Sequence, residues 1–368
     1  MQFISKKVDT FFIFFWYFRG TINILKMRVA LVGATGIVGR VLLKIFKKIS
    51  GKKVLSVASK KSFGFGEEIS FKFKDTHCRI LSLEEVISLN PYFSLLSAGC
   101  EISKKWALRF VEYGSFVVDN SSAWRMDPNK LLIITEINVG DISEKDKVIA
   151  NPNCSTIQLL IILTPLHKRY IAHRLVISTY QSVTGTGKKS RNQLEKESLG
   201  KFVEKIYKHQ IYKNVLPYCD LIKEGGCTKE EIKLIRETKK ILKEDRISIT
   251  ATNARLPITG GHSECVTIYF KNKIYLDEIL NIFSNTPGIL VQNCPENCYF
   301  PMPILSKGKD EVFVGRIRRY STNSLNLWIV ADNLLKGAAN NAIQIYEYLF
   351  NNQFLNEKTL KGEGVIIP

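Results

Sequence analysis

The stretch MRVALVGATGIVG, residues 27–39, predicts how the first half of the chain folds. Arg28–Val32 has the composition of a short apolar strand, Gly33–Gly39 is a glycine-rich turn, and Arg40–Lys48 comes next with the pattern of a helix. Glycines permit a tight turn and the close approach of backbone to a pyrophosphate, to which the helix N-terminus offers free N–H groups. This order is the context that a dinucleotide-binding fingerprint requires. The spacing G-x-x-G-x-x-G is a variant of the commoner G-x-G-x-x-G. The alternative interpretation is a structural turn that binds nothing.

The end of the second predicted strand indicates which dinucleotide would bind. Lys53–Ala58 is followed by SKKSFG, where an NAD site usually carries an acid for the ribose 2′-hydroxyl. Hydroxyls and a cation at Ser59, Lys61 and Ser62 suit a 2′-phosphate instead, so NADP(H) is favoured over NAD. A solvated basic turn is the alternative.

Strands and helices alternate through the first 150 residues and then give way to a different pattern. Further apolar strands are predicted at Tyr92–Leu96, Phe116–Asp119 and Leu132–Thr135, with a helix at Glu101–Glu112. This alternation is typical of a parallel sheet with crossover helices. After residue 151 the strands lengthen, and GHSECVTIYF (261–270) alternates at period two like a half-buried antiparallel strand. The sequence therefore predicts an α/β protein: a Rossmann-type domain at 27–150, completed by a C-terminal helix within 331–368, and a mixed α+β domain at 151–330.

Residues 1–26 precede the first strand and differ in composition from the rest of the chain. The run FFIFFWYF, Phe11–Phe18, is far shorter than the roughly 20 apolar residues that span a bilayer. Lys6 and Lys7 before it give a weak likeness to a signal peptide, but no small-residue cleavage site comes after it. We expect a non-core N-terminal extension, no membrane partner and a cytoplasmic location, and a targeting role for the extension stays open.

Charge and cysteine content exclude several classes of protein. The net charge is +19, but lysines are spread along the chain and mixed with acids, so we expect no nucleic-acid partner, only an attraction for anionic substrates. The eight cysteines have irregular spacings, which favours reduced thiols over a disulfide framework. Cys294 and Cys298 have the spacing of a metal half-site, but no second Cys or His pair lies nearby in the sequence, so no metal is expected.

One cysteine lies where a loop becomes a helix. NPNCSTIQ, residues 151–158, places Cys154 behind an Asn-Pro-Asn turn and ahead of the apolar run Ile157–Leu166. Pro152 disfavours helix at the residue before it, so Cys154 lies at the cap or in the first turn of a helix that continues to about Tyr170. A helix N-terminus favours the thiolate, which is the nucleophilic form. A small hydrophobe filling a gap in the core is the alternative.

Eight motifs in order carry a family resemblance: GATGIVG, NSSAWRMD, NPNCSTIQ, STYQSVTGTG, EEIKLIRETKKIL, ARLPITGGHSE, VGRIRR and ADNLLKGAA. Together they resemble aspartate-β-semialdehyde dehydrogenase of the bacterial type, from Met27 to the C-terminus. The resemblance implies reversible NADPH-dependent reduction of β-aspartyl phosphate to L-aspartate-β-semialdehyde and phosphate, through a cysteine thioester. It also implies a place in lysine, threonine, methionine, isoleucine and diaminopimelate biosynthesis, and a homodimer or homotetramer whose second domain provides catalysis and dimerisation.

The resemblance also assigns roles to individual residues. Cys154 matches the nucleophile and His262 the general acid/base, while the substrate-binding residues are Gln181, Glu230 and Arg255. The cations that match the phosphate site are Arg125 and Lys233. With Ser59 from the second strand end, the residues expected to hold NADP(H) are Thr35, Gly36, Ile37, Val38, Ser59, Lys61, Ser62, Thr184, Gly185 and Asn333.

Other interpretations compete with this one. Unaided by the motifs, Glu230 and Lys233 read as an i, i+3 pair on a solvated helix face, and His262 as an ordinary loop or strand residue. N-acetyl-γ-glutamyl-phosphate reductase shares the architecture and chemistry, although an acetylated substrate has no ammonium for Glu230. The remaining alternative is a catalytically silent NADP-binding or nucleic-acid-binding protein of this fold. The stretch Asn293–Pro303 matches no motif of the family.

Overall fold

A computed structural model of the chain describes residues 28–49, 54–58, 70–73 and 76–355. The predicted extension at 1–26 and the candidate cofactor residues Ser59, Lys61 and Ser62 lie outside the described residues.

The first half of the described chain forms a sheet of eight strands. In chain order these are β1 Val29–Val32, β2 Val54–Val57, β3 Ser70–Phe73, β4 Thr76–Leu81, β5 Phe93–Leu96, β6 Phe116–Asp119, β7 Leu131–Leu132 and β8 Val148–Ala150. Their spatial order is β3-β4-β2-β1-β5-β6-β8-β7, and all neighbours are parallel except β3 and β4. The central strands β1, β5 and β6 are buried along their whole length, as expected of a parallel sheet covered on both faces.

The glycine turn connects β1 to the first helix. The helices of this half are α1 Ile37–Ile49, α2 Leu83–Ser88, α3 Cys100–Glu112 and α4 Thr135–Asn138. Gly33 has φ +91°, and a Cβ there would lie 2.5 Å from the Ser97 carbonyl oxygen. A Cβ on Gly39 would lie 2.1 Å from the carbonyl oxygen of Gly33, so helix and turn approach more closely than any other residue permits.

The second half forms a mixed sheet of six strands. These are β9 Ala172–Ser182, β10 Ser248–Leu256, β11 His262–Phe270, β12 Ile289–Val291, β13 Val312–Ser321 and β14 Ser324–Ala331. The spatial order is β10-β9-β11-β14-β13-β12; β10 is parallel to β9 and β12 to β13, and the other neighbours are antiparallel. The antiparallel strand predicted from the period-two alternation of 261–270 is confirmed, since β11 pairs antiparallel with β9 and β14.

A long helix is buried against this second sheet. The helices of this half are α5 Cys154–Tyr170, α6 Lys188–Ser198, α7 Lys229–Leu242, α8 Leu276–Asn285 and α9 Pro303–Ser306. Side chains of α5, α7 and α8 share one core with the sheet. Residues 155–164 of α5 are all buried, so this part of the helix is covered on every side.

The chain returns to the first sheet at its C-terminal end. A π-helix at Leu335–Asn340 leads into α10, Asn341–Asn351. The ring of Tyr346 lies 4.8 Å from that of Phe93 and 5.5 Å from that of Phe46. The α/β class, with a Rossmann-type sheet and a second mixed sheet, is confirmed.

Two predicted elements differ from those observed. The strand predicted at Leu132–Thr135 is wrong, because β7 stops at Leu132 and Thr135 begins α4. At the start of α4, Asn341 Oδ1 accepts from the backbone N–H of Thr135 at 3.0 Å, and Asn138 Oδ1 accepts from that of Ile134 at 2.9 Å. The predicted last helix is interrupted by the π-helix before α10. In the part of the chain that the structure describes, no helix is long and apolar enough to cross a membrane.

Candidate active site

Three polar side chains form one row across the second sheet. Gln181 on β9 pairs with Arg255 on the parallel strand β10 and with His262 on the antiparallel strand β11. Directly paired residues point to the same face of a sheet, so the three side chains lie side by side. All three are buried. The register of these pairs therefore assembles the three residues from distant motifs.

Cys154 is the first residue of α5, as its sequence context predicted. Asn153 caps the helix, with its side-chain oxygen accepting from the Ser155 N–H at 2.9 Å. Gln181 reaches this first turn, because its Nε2 donates to Ser155 Oγ at 3.0 Å. The row of three side chains on the sheet and the start of α5 thus face each other.

The surroundings of Cys154 favour the thiol and not the thiolate. The residue as a whole is half-buried. Burial of its sulfur is the largest cause that raises the pKa of Cys154, to about 12, and the nearby Glu230 carboxylate adds to this effect. Arg125 and Arg255 act in the opposite direction but do not prevail. The backbone N–H of Ser155 at the helix start also lowers the pKa of Cys154, in the expected direction, but desolvation outweighs it.

The π-helix before α10 packs on the thiol residue. A Cβ placed on Gly337 would lie 2.8 Å from Cys154 Cβ and 3.2 Å from its Cα. No real Cβ has such a contact, so only glycine allows this approach. The π-helix geometry places Gly337 there, consistent with the frequent occurrence of such segments at functional sites.

Gly337→Ala should therefore displace Cys154. Because the clash involves the backbone of Cys154, the thiol should move by a fraction of an ångström to about 1 Å, which lowers turnover by roughly 10²-fold. We expect thermal unfolding to shift only modestly, since overpacking costs about 1–3 kcal/mol. Steady-state kinetics beside calorimetry check this, with Gly140→Ala as the control because a Cβ there meets no atom within 4 Å. Equal turnover in the two variants would contradict the prediction.

Arg255 keeps donors available for a ligand. Its Nη1 donates to the carbonyl oxygen of Ser182 at 2.8 Å, and its buried Nε has no hydrogen-bond partner among the described residues. Gly185 packs closely against this side chain: a Cβ there would lie 2.9 Å from Arg255 Nη1 and 3.0 Å from His262 Nε2. Only glycine therefore allows the backbone to approach both side chains at this position.

His262 is held as a neutral ring in one tautomer. Burial is the largest cause that lowers its pKa to about 3, and Arg255 adds to it. The backbone N–H of Ser182 donates to Nδ1 at 3.2 Å. An N–H can only donate, so Nδ1 is unprotonated and the ring proton lies on Nε2. That buried Nε2 has no partner within the described residues, so its N–H is available to donate to a bound ligand.

An acid and a lysine of α7 lie beside the start of α5. Glu230 Oε1 accepts from Asn153 Nδ2 at 2.8 Å, and its Oε2 accepts from Lys233 Nζ at 3.2 Å. Burial would raise the pKa of Glu230, but Lys233 and Asn153 outweigh it and lower that pKa. Lys233 also donates to Asp220 Oδ2 at 2.8 Å. Glu230 is buried, so the alternative of a solvated pair does not hold for it.

Arg125 reaches the same region from the loop after β6. Its Nη1 forms a buried ion pair with Glu237 Oε1 at 3.0 Å, and its Nη2 donates to the Asn120 carbonyl oxygen at 2.9 Å. The other oxygen of Glu237 accepts from the backbone N–H of Asn153 at 2.7 Å, which links Arg125 to the residue before Cys154. Both predicted phosphate-site cations thus lie near the start of α5, and each already pairs with at least one carboxylate.

The candidate cofactor residues fall into two groups. Thr35 and Gly36 line a cavity of about 750 Å³ at the carboxyl ends of β1, β2 and β5, and Ile37 and Val38 begin α1 behind that turn. The cradle at Gly33 and the cavity beyond it fit a dinucleotide. Thr184, Gly185 and Asn333 lie at the second sheet beside His262. In this group, Asn333 Oδ1 accepts from Thr184 Oγ1 at 3.3 Å, and also from the Ser182 hydroxyl.

Several residues at the site were not identified from the sequence. Asn153, Ser182 and Glu237 are buried and bonded to candidate residues, and Gly337 contacts the thiol residue. Asn153 carries a signal that could have found it, because Asn just before an apolar helix is a typical N-cap. The unassigned stretch Asn293–Pro303 packs beside the site, since Pro303 lies against Gly261.

Comparisons with known proteins agree with this geometry. The family described as "Semialdehyde dehydrogenase, NAD binding domain" matches residues 28–145, and "Semialdehyde dehydrogenase, dimerisation domain" matches residues 163–336. The aspartate-semialdehyde dehydrogenase of Aquifex aeolicus is 42% identical over 334 residues, covering 88% of this chain and 97% of that protein. The Bacillus subtilis enzyme is 38% identical over 340 residues, covering 88% and 97%.

Solved structures give the same result. Aspartate semialdehyde dehydrogenase II of Vibrio cholerae, complexed with ASA, has a TM-score of 0.82 at 35% identity, covering 89% of this chain and 98% of that one. The Candida albicans enzyme with NADP has a TM-score of 0.71 at 22% identity, which shows the shared fold alone. The relatives above 30% identity are matched over nearly their whole length, so the resemblance seen in the motifs is confirmed, and the chain belongs to the aspartate-semialdehyde dehydrogenase family.

Proposed function

We propose that this chain is an aspartate-semialdehyde dehydrogenase that reduces β-aspartyl phosphate with NADPH and releases L-aspartate-β-semialdehyde and phosphate. One observation carries the proposal. A cysteine at a helix start faces a row of Arg255, Gln181 and His262, in which buried N–H groups of Arg255 and His262 remain unpartnered within the described chain. The expected setting is the aspartate-derived biosynthesis of lysine, threonine, methionine, isoleucine and diaminopimelate.

The charges around Cys154 suit a small substrate with three ionic groups. Arg255 has the planar fork that binds a carboxylate, and Glu230 is the acid that would pair with an ammonium. Arg125 and Lys233 supply cations for the phosphate. An ammonium on Glu230 would also weaken that residue's effect on Cys154, so substrate binding itself would favour ionisation of the thiol.

The reaction follows from these positions. The thiol of Cys154 attacks the acyl carbon, and its proton passes to the departing phosphate oxygen as the C–O bond to phosphate breaks, which leaves a thioester. NADPH, held at the turn that contains Thr35 and Gly36, would supply the hydride for reduction of the thioester carbonyl carbon. His262 Nε2–H donates toward the oxygen as negative charge develops there, and Gln181 orients the substrate near the thiol. The oxyanion formed by hydride addition re-forms the carbonyl as the C–S bond breaks, which releases the aldehyde and leaves a thiolate that takes a proton from solvent.

The same proposal covers cofactor choice, domains and assembly. We expect NADP(H) to bind at Thr35–Val38 with residues 27–150 and the C-terminal segment 331–368, while residues 151–330 carry the chemistry and subunit contacts. The preference for NADP over NAD depends on Ser59, Lys61 and Ser62, outside the described residues, and stays a prediction. A cytoplasmic homodimer or homotetramer is the expected form.

The decisive experiment is a turnover assay on purified protein. NADP reduction should require both aspartate semialdehyde and phosphate. The matched control is N-acetylglutamate semialdehyde, which has no free ammonium for Glu230 and should give little turnover. Preference for the acetylated aldehyde would favour the reductase alternative, and no turnover with either aldehyde would favour a silent binding protein.

Arg255→Lys should raise KM for the aldehyde more than it lowers kcat. The guanidinium uses Nη1 on Ser182 and keeps further donors for a carboxylate, whereas a single ammonium cannot serve both in the same geometry. We expect KM to rise roughly 10- to 100-fold, as for a lost charged hydrogen bond. Initial-rate kinetics measure this, with the Kd for NADP as the control. An unchanged KM would contradict the carboxylate role.

A further inference from the structure

Glu237 is a buried acid that the mechanism above does not use. It lies on α7, seven residues after Glu230 and on the same face of the helix, and is 1% exposed. Its Oε1 accepts from Arg125 Nη1 at 3.0 Å, and its Oε2 accepts from the backbone N–H of Asn153 at 2.7 Å. Each oxygen of one carboxylate is therefore bonded to a different element of the candidate site.

These two bonds link Arg125, the cation proposed to bind phosphate, to the residue that precedes Cys154. Arg125 lies on the loop after β6 of the first sheet, and Asn153 immediately precedes Cys154 at the start of α5. With Nη1 held by Glu237 and Nη2 by the Asn120 carbonyl oxygen, the guanidinium plane of Arg125 is fixed at two points. Its buried Nε remains without a partner among the described residues, so a fixed donor is left for an incoming anion.

We propose that Glu237 is a positioning residue that sets Arg125 and the backbone of Asn153 relative to each other, so that phosphate is bound at a fixed place beside Cys154. The inference rests on the proposed function, because that function supplies the phosphate. Glu237 itself touches neither substrate nor cofactor in this scheme. It acts through Arg125 and through the residue before the nucleophile.

Glutamine is the most informative replacement. Both partners of Glu237 are N–H donors, and a carboxylate has an acceptor oxygen for each. An amide of the same shape has only one acceptor oxygen, so Glu237→Gln must set an N–H₂ group against either Arg125 or the Asn153 N–H. The side-chain volume is kept, and the link between the two is broken.

We expect Glu237→Gln to raise KM for phosphate roughly 10- to 100-fold in the oxidative direction, the usual result of losing a hydrogen bond to a charged group. The Kd for NADP should stay unchanged. If the glutamine variant does not fold, Glu237→Asp tests the same point: it keeps both acceptors but retracts them by one methylene, and should also raise KM for phosphate selectively.

The chain contains a closely matched control. Glu231 lies on the same helix, is buried, and also uses both oxygens as acceptors, but from two backbone N–H groups, those of Thr228 at 2.7 Å and Asn253 at 2.9 Å. It forms no hydrogen bond with Arg125 or Asn153. Glu231→Gln should lower thermal stability without a selective change in KM for phosphate. Equal effects of the two variants on KM would overturn the inference, because Glu237 would then serve only stability.

A double-mutant cycle separates positioning from a general structural role. In an Arg125→Gln background, Glu237→Gln should add little to KM for phosphate, because the partner through which it acts is gone. Additive effects would contradict the proposal.

A second measurement does not need turnover. In calorimetric titration, inorganic phosphate should bind the unmodified enzyme loaded with NADP, and its Kd should rise in Glu237→Gln. An unmodified enzyme that neither turns over with phosphate nor binds it would refute the proposed function, and the inference with it. A Kd for phosphate that is identical in both proteins would refute the inference alone.

Discussion

Cys154→Ala should abolish turnover while leaving NADP binding intact. Without the thiol no thioester can form, and removing the nucleophile of a covalent enzyme lowers kcat on the order of 10⁶-fold. Alanine keeps the Cβ that packs on Gly337, so the start of α5 should stay in place. Cys154→Ser should retain a trace of activity, because a hydroxyl is a far weaker nucleophile near neutral pH.

Mass spectrometry gives the direct readout. Protein quenched during turnover with β-aspartyl phosphate should carry an acyl adduct on the peptide that contains Cys154, and the alanine variant should carry none. The Kd for NADP and the melting temperature of both proteins are the controls. An adduct on another cysteine, or normal turnover by Cys154→Ala, would show that NPNCSTIQ is not the active site.

His262→Ala should lower turnover by roughly 10²- to 10⁴-fold, the usual range for a positioned acid/base group. The Ser182 N–H at Nδ1 places the ring proton on Nε2, and that proton is the one lost in the variant. Acylation of Cys154 does not need this donor in the proposed scheme, so acyl-enzyme should accumulate in His262→Ala. His262→Gln should recover part of the activity, because its amide N–H₂ can reach a position near that of Nε2.

Adduct accumulation separates His262 from Cys154. Quenched His262→Ala should contain more acyl-Cys154 than the unmodified enzyme does, whereas a fall in both adduct and turnover would place His262 before the acylation step. Full turnover by the alanine variant would exclude an acid/base role.

The lowered pKa of His262 also predicts how stability depends on pH. The folded ring has a pKa of about 3 against 6.5 for the ordinary side chain, so the unfolded state binds the extra proton between these values. The contribution of His262 is therefore present above pH 6.5 and is lost as pH falls toward 3, with a slope of up to about 1.4 kcal/mol per pH unit. The free energy of unfolding, measured with denaturant across this pH range, should fall less steeply with decreasing pH in His262→Ala than in the unmodified protein.

Local sequence determined the parts of this protein that depend on neighbours along the chain. The glycine turn at 33–39 predicted the first strand, the first helix and the dinucleotide cradle, because a positive φ at Gly33 and the close approach at Gly39 admit no other residue. The alternation in 261–270 predicted an antiparallel strand, and Pro152 with the apolar run after it predicted where α5 begins. Ordered motifs then identified the family, since independent surface residues would not reproduce them together.

Tertiary structure decided the features that depend on groups distant along the chain. Arg255, Gln181 and His262 become one site only through the pairing register of β10, β9 and β11, which no single strand encodes. Thr135 begins a helix instead of ending a strand, and its N–H is bonded by Asn341, 206 residues later.

The protonation states at the site show the same division most clearly. The sequence places Cys154 at a helix start, which favours the thiolate. Burial and the carboxylate of Glu230 reverse this and raise the pKa of the thiol to about 12. Glu237 looks like one more acid in a charged helix until Arg125 and Asn153 are seen at its two oxygens. Desolvation and buried hydrogen bonds depend on which groups enclose a side chain, and only the folded chain defines that enclosure.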